Sequence, residues 1–423
     1  MDDGSVDFKQ AAAAEAWRLP IEALDPAQPE LFAGDAFWPI FERLRKEDPV
    51  HFVDSPVYGP FWSIAKYNDI MAIDTNHQVF SSADGIVLQT LEAKAESEKR
   101  PRGQSFISMD PPGHDVQRKT VSPAVAPANL QAMSPLIRER AAAILDNLPI
   151  GEEFDWVDLV SKELTAMTLA TLFDYPQEDR RQLTFWSDMF TNAPGHGPAK
   201  SWEHKRQEAD ACFSRFTELW NERVNAPPRF DLVSMLAHGP DTRNLGLTDY
   251  HSNVVLLIIG GNDTTRNTIS GSVYALNKHP DQYRKLRENP DLVASMVSET
   301  IRWQTPLAHM ARTATEDFEF RGKTIRAGER VAMWYVSGNR DGEVIENPDA
   351  YIIDRPRPRT HMSFGFGIHR CVGNRLAELQ LTIIWEEIMK RFPEVVLAAE
   401  PTRTHSVFVK GYETLPVVIP RRA

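Results

Sequence analysis

Phe364-Gly365-Phe366-Gly367-Ile368-His369-Arg370-Cys371-Val372-Gly373 is the stretch that decides how this chain is read. Directly after it, Leu376, Leu379, Ile383, Ile384 and Ile388 recur at helical spacing. The pattern predicts Cys371 at the start of a helix, behind a glycine-rich loop. Free backbone N–H groups and the helix dipole favour negative charge there, which suits a thiolate. Gly365 and Gly367 let the backbone approach a flat ligand closely. A lone cysteine is most often a small buried hydrophobe, so the nine residues around Cys371 are what set it apart.

The rest of the chain narrows the possibilities. Its 423 residues allow one large domain or two to three ordinary ones, and no internal repeat divides them. A formal charge of −12 argues against a general nucleic-acid binder, which needs a basic surface. The start, Met1-Asp2-Asp3-Gly4, has no cationic region before an apolar core. The apolar runs Ala11–Ala14 and Val254–Ile259 are too short to span a bilayer. A soluble, cytoplasmic protein is expected. With Cys212 the sole other cysteine, neither a disulfide framework nor a four-cysteine metal site is available.

Apolar spacing predicts helices around Phe37–Glu47, Leu130–Asn147, Val157–Phe173 and Lys200–Val224. Strand-like segments are His51–Val53 with Phe61–Ile64, then Phe318–Phe320, Lys323–Ile325 and Arg330–Tyr335, and late in the chain Val407–Val409 and Leu415–Ile419. No long Ser/Gly linker separates them, so one mainly helical domain with small sheets is expected. Ala193 to Pro198 and Gly85 to Gly103 read as surface connections, the second with a solvated charged loop at Glu92–Arg102. In an enzyme with a buried apolar site either is a potential lid.

Three further segments carry chemistry. In Glu299-Thr300-Ile301-Arg302 the two charges lie three apart on one helix face and can pair. Gly260-Gly261-Asn262-Asp263-Thr264-Thr265 interrupts a helix running from after Thr248 to near His279-Pro280. Two adjacent glycines cost about 2 kcal/mol in a helix interior, so a local distortion at a functional site is expected. In Met109-Asp110-Pro111-Pro112-Gly113-His114-Asp115-Val116-Gln117-Arg118, His114 and Arg118 share one face of a helix that begins after the proline break.

Taken together these segments resemble the cytochrome P450 superfamily. Its cysteine-loop pattern, Phe-x-x-Gly-x-His/Arg-x-Cys-x-Gly, is matched by Phe364, Gly367, His369, Cys371 and Gly373. The resemblance runs from about Leu31 to the C-terminus. It implies a mainly α fold with small β-sheets, residues 31–423 as a single haem domain and residues 1–30 as an N-terminal extension. It implies haem b (Fe-protoporphyrin IX) with Cys371 as the axial iron ligand, a thiolate that promotes O–O cleavage. Phe364 and Gly365 would lie against the cofactor. His114, Arg118, Arg312 and His369 would bind its propionates, for which cations and N–H donors are suited. Glu299, Arg302 and Arg355 would form a buried structural cluster that holds the cysteine loop. The helix through Gly260 would pass over the haem, with Asp263 and Thr264 as an acid–alcohol pair delivering protons. The family's commoner alanine at position 260 is glycine here.

The resemblance also implies a monooxygenase supplied with electrons by other proteins, since no strand–GxGxxG–helix module is present. Arg118, Lys119, Arg370 and Arg375 suggest a basic docking patch for an acidic [2Fe–2S] ferredoxin served by an NAD(P)H-dependent reductase. Gly260–Asn267, His361–His369 and Val116–Lys119 with Ser122-Pro123 and Ala126-Pro127 look most like the soluble bacterial alkane terminal hydroxylases. That implies attack on the terminal methyl of medium-chain alkanes or fatty acids through a narrow apolar channel. Its expected walls are Ile86, Val87, Leu88, Leu256, Leu257, Gly260, Leu307, Met310 and Phe408. Sterol side-chain oxidation is the alternative substrate class. A peroxide-driven relative would lack the Asp263–Thr264 pair, and a non-catalytic haem gas sensor would need no channel.

Overall fold

The computed structural model describes residues 3–101 and 103–423; Met1, Asp2 and Arg102, the last residue of the expected charged loop, lie outside them. Helices dominate. Their amphipathic or wholly buried faces meet around one long helix, Leu247–Lys278, about 48 Å from end to end at the usual rise per residue. Val254, Ile258, Ile269 and Val273 of this helix pack into a core shared with Trp156, Phe173, Phe216 and Trp385. The final helix, Asn374–Arg391, lies against Pro127–Asp146 and Val293–Gln304. The cysteine loop therefore leads directly into the helical core.

The helix ends have local causes. Ser201 caps Trp202–Val224 by accepting from the His204 amide at 3.1 Å. Trp38–Glu47 starts with proline at its second position. Segment Val157–Lys162 is a π-helical turn that runs on into the α-helix Glu163–Phe173.

The largest sheet orders its strands as Val50–Ser55, Gly59–Ile64, Arg330–Met333, Met310–Ala314 and Phe80–Ser81. The first two form a hairpin pairing His51 with Ser63, and Gly59 turns it at a φ of 72°. The Arg330–Met333 strand runs parallel to Gly59–Ile64. This sheet and the preceding N-terminal stretch share a second core, in which Ala16, Leu24 and Ala27 join Phe37, Phe41 and Trp334.

Some expectations needed correction. The helix through Gly260 and Gly261 is continuous, with neither a break nor a wider turn. Gly261 has a packing reason instead: a Cβ there would come within 2.9 Å of Leu169 Cδ1. At Gly260 a Cβ would meet nothing within 4 Å, because that face borders a cavity. Val407–Val409 is no strand; it is a loop held by a bridge between Val409 and Leu307 and by the Ala308 amide donating to the Phe408 carbonyl. The expected loop at Glu92–Arg102 contains a short helix, Leu91–Ser97, capped by Thr90. Arg330–Tyr335 is a strand only to Met333, after which Tyr335–Gly338 turns as a helix.

Candidate active site

Cys371 lies three residues ahead of the final helix, not within it. Its backbone amide donates to the Phe364 carbonyl at 2.8 Å, which closes the loop. Gly365 and Gly367 adopt φ values of 67° and 63°, which side-chain-bearing residues rarely adopt. A Cβ on Gly367 would also strike the Asp74 carbonyl at 2.7 Å. Here the glycines fit the loop against the protein behind it as well as opening its front. Burial pushes the Cys371 thiol up, against the pull of the Gly373 and Asn374 amides and the charges of Arg118 and Arg370.

Two buried polar clusters fix the loop from behind. In the first, Glu299 accepts from Arg302 at 2.8 Å through both oxygens, from Arg355 at 3.1 and 3.3 Å, and from the Ile352 amide at 2.8 Å. Arg302 also donates to the carbonyls of Asn339, Pro348 and Ala350. Asn339 carries the connection onward, accepting from the Met362 amide and donating to Ser363 Oγ. The expected association of Glu299, Arg302 and Arg355 is therefore present.

The second cluster centres on Asp74, which sequence reasoning missed. Its carboxylate accepts from Arg312 at 2.9 Å, from the Tyr335 hydroxyl at 2.7 Å and from the Phe366 amide at 2.8 Å. One buried aspartate thus orients an arginine and a loop amide together. Nothing near Asp74 in the sequence distinguishes it from a surface aspartate in a short helix, and its partners lie more than 200 residues away.

In front of the loop is a cavity of about 1560 Å³. Cys371, Phe364, Gly365, His369, Arg118 and Arg312 border it. His114 packs edge-on against His369, with ring centroids 4.6 Å apart. His114 Nε2 and His369 Nδ1 are buried without hydrogen-bond partners, although such atoms are normally satisfied. Burial and the nearby charges of Arg312, His114 and Arg118 push the His369 imidazole down to about 2. This group of cations and partnerless ring nitrogens suits a dianionic edge of a flat ligand. With the open cysteine loop below and the flat face of Gly260 above, the residues present fit a haem.

The opposite wall comes from the long helix. Gly260 and Thr264 border the cavity, and Thr264 Oγ1 donates to the Gly260 carbonyl at 3.1 Å. Asp263 faces away from it. Fully buried, it accepts from Ser187 Oγ at 3.0 Å and pairs with Arg266 at 2.9 Å. Its Oδ2 has no partner. Burial pushes the Asp263 carboxyl up, Arg266 opposes this and nearby Asp188 adds to it. The structure therefore separates the expected acid–alcohol pair onto two faces of one helix. All the expected channel residues, Ile86, Val87, Leu88, Leu256, Leu257, Gly260, Leu307, Met310 and Phe408, border the cavity. Phe190, Phe213 and Leu169 do so as well and were missed; they come from helices whose inward faces have no motif to mark them.

Such a cysteine loop beneath a long helix defines a haem-dependent oxygenase. The cytochrome P450 family model matches residues 37–406, and the chain belongs to this family. It is therefore a haem b monooxygenase, an oxidoreductase using O2 and an apolar substrate. Linalool 8-monooxygenase of Pseudomonas putida is 34% identical over 94% of this chain and 99% of that protein. A methyl-branched lipid omega-hydroxylase of Mycobacterium bovis is 30% identical over 89% of this chain and 90% of that protein. The solved structure of CYP153D17 from a Sphingomonas species superposes with a TM-score of 0.87 at 44% identity, covering 93% of this chain and 98% of the other. Among the described residues, no helix is long and apolar enough to cross a membrane.

Proposed function

We propose that this enzyme hydroxylates the terminal methyl group of medium-chain alkanes or fatty acids, with Cys371 as the residue that would ligate the haem iron. The observation that carries the reading is the apolar cavity that begins at Cys371 and Thr264 and continues between Leu256, Phe213 and Leu88. A terminal C–H bond is harder to break than its neighbours, so selectivity must come from presenting the chain end alone. The omega-hydroxylase among the relatives supports the same regiochemistry.

When bound, haem b supplies the redox iron at which dioxygen is activated, one oxygen atom entering the C–H bond and the other leaving as water. The protein does the rest. Arg118, Arg312, His114 and His369 would hold the propionates, and Phe364 and Gly365 would lie against the ring. The Glu299–Arg302–Arg355 cluster keeps the cysteine loop in place. Thr264 offers its hydroxyl to the reaction site by releasing the Gly260 carbonyl. Asp263 supplies protons from behind the helix by letting go of Arg266, which pairs with its Oδ1, and turning its partnerless Oδ2 toward the cavity.

Lys119, Arg370 and Arg375 are exposed near the cysteine side, and we read them as the docking patch for an acidic [2Fe–2S] ferredoxin served by an NAD(P)H-dependent reductase. Reconstitution with such a pair, NADPH and either dodecane or dodecanoate tests the reading. Terminal alcohol as the main product supports it. Subterminal products, or none, would overturn it.

A further inference from the structure

Lys205 borders the cavity at a place where ordinary protein design would not put a lysine. It lies in the first turns of helix Trp202–Val224, at the end whose free N–H groups form the positive pole. Its ammonium donates to the main-chain carbonyl of Asn192, at the end of helix Arg180–Thr191, and lies 5.5 Å from the centre of the Trp202 ring. Asn192 and Trp202 border the same cavity.

Among the described residues no carboxylate pairs with Lys205. The nearby acids are engaged elsewhere. Glu203 pairs with Arg206, Glu208 with His204, and Glu96 with Arg206 and Lys99. Glu92, exposed at the rim, accepts from Trp202 Nε1 at 2.6 Å. Burial drives the Lys205 ammonium down to about 8, with no neighbouring charge offsetting it. A desolvated cation without an anion costs free energy, and such uncompensated violations tend to mark functional sites.

What lies beyond Lys205 is apolar. Phe213, two turns further along the same helix, stacks on Phe190 with ring centroids 6.3 Å apart. Val255, Leu256 and Ile259 of the long helix lead on to Gly260 and Thr264. One end of the wall is thus cationic and the other is the reaction site.

We propose that Lys205 is the carboxylate anchor of the substrate channel, holding the acid end of a fatty acid whose terminal methyl reaches Thr264 and Cys371. This rests on the terminal-hydroxylation reading and sharpens it, making carboxylate-bearing chains the preferred substrates. The ammonium gives a charge-assisted hydrogen bond to the carboxylate and turns away from the Asn192 carbonyl. A lysine that merely ties two helices together would affect every substrate alike.

Spectral titration of the holoenzyme with dodecanoate, its methyl ester and dodecane separates these roles. Wild type should prefer the acid to the ester. Lys205→Gln should weaken acid binding about tenfold or more, as loss of a charged hydrogen bond does, and bring the acid-to-ester ratio near one. Lys205→Arg should restore most of the preference. Acid affinity in wild type should fall between about pH 7 and 9, as the ammonium loses its proton, while ester affinity holds. An equal loss for all ligands in Lys205→Gln would overturn the anchor and leave a helix tie. An acid preference that depends on Lys205, with hydroxylation away from the terminus, would keep the anchor and overturn the terminal-hydroxylation reading. Wild type that binds acid and ester equally would overturn the anchor alone.

Discussion

The two sides of the cavity are built by opposite means. Behind the cysteine loop, the backbone is fixed by buried charge: Glu299 with Arg302 and Arg355, and Asp74 with Arg312, Tyr335 and the Phe366 amide. On the substrate side the cavity lining is mostly apolar, and the ties between its elements, such as Glu96 with Arg206 and Glu92 with Trp202, are partly or fully exposed pairs rather than a buried network. A metal ligand needs one geometry, and charged networks with several partners enforce one. A substrate channel has to admit chains that differ, and apolar packing tolerates that. The difference predicts that mutations behind the loop cost stability, whereas mutations in front change what is bound.

The largest effect should come from breaking the first cluster. Glu299→Gln leaves Arg302 and Arg355 buried without their anion and should destabilise the fold by about 3–5 kcal/mol. Urea unfolding of the holoprotein checks this, and a loss below about 1 kcal/mol would show that the cluster is not what holds the loop. Asp74→Asn keeps the shape and removes the charge opposite Arg312. It should cost about 1.5–3 kcal/mol, the worth of a hydrogen bond to a charged group, and should weaken haem retention in competition with apomyoglobin.

On the substrate side, Thr264→Ala should leave thermal stability nearly unchanged, because its hydroxyl only back-bonds within the helix. Reducing equivalents should instead be lost as peroxide, read from peroxide formed per NADPH consumed. Full coupling in that variant would remove Thr264 from proton delivery. The smallest change is the most diagnostic of the two glycines. Gly260→Ala should stabilise the helix by up to about 1 kcal/mol and exclude the bulkiest substrates, since its methyl enters open cavity. Gly261→Ala should destabilise, because its methyl meets Leu169.

A buried polar tie also crosses the substrate side. His309 is buried, its Nε2 accepting from the Leu88 amide at 3.0 Å while Nδ1 donates to the Val407 carbonyl at 2.8 Å. It joins two channel walls in neutral form, and burial pushes its imidazole down from 6.5 to about 4. The unfolded chain therefore binds a proton that the folded chain refuses, so this contribution is intact above about pH 6.5 and shrinks as pH falls toward 4. Thermal denaturation from pH 7 to 5 should show a loss that His309→Gln flattens.

The same contrast explains what the sequence revealed. The cysteine loop and the Glu299–Arg302 pair were legible because several special residues lie within ten positions, and Arg355 followed from the resemblance. Asp74 was not, since its role exists only once Arg312, Tyr335 and Phe366 converge on it. The double glycine suggested a distorted helix, yet the helix is regular, because close packing on Leu169 and an open cavity face each require a glycine without bending the axis. Thr264 and Asp263 are neighbours in sequence, but a helix turns consecutive residues about 100° apart, so only Thr264 reaches the cavity.

The central claim is the iron–thiolate bond at Cys371, and carbon monoxide tests it most directly. The purified protein would be reduced, treated with carbon monoxide and its absorption spectrum recorded for wild type and Cys371→Ser. A Soret band strongly red-shifted from that of histidine-ligated haem, lost in the variant, is the predicted result. A wild-type spectrum with only the shorter-wavelength band, or a red-shifted band that survives in Cys371→Ser, would contradict it.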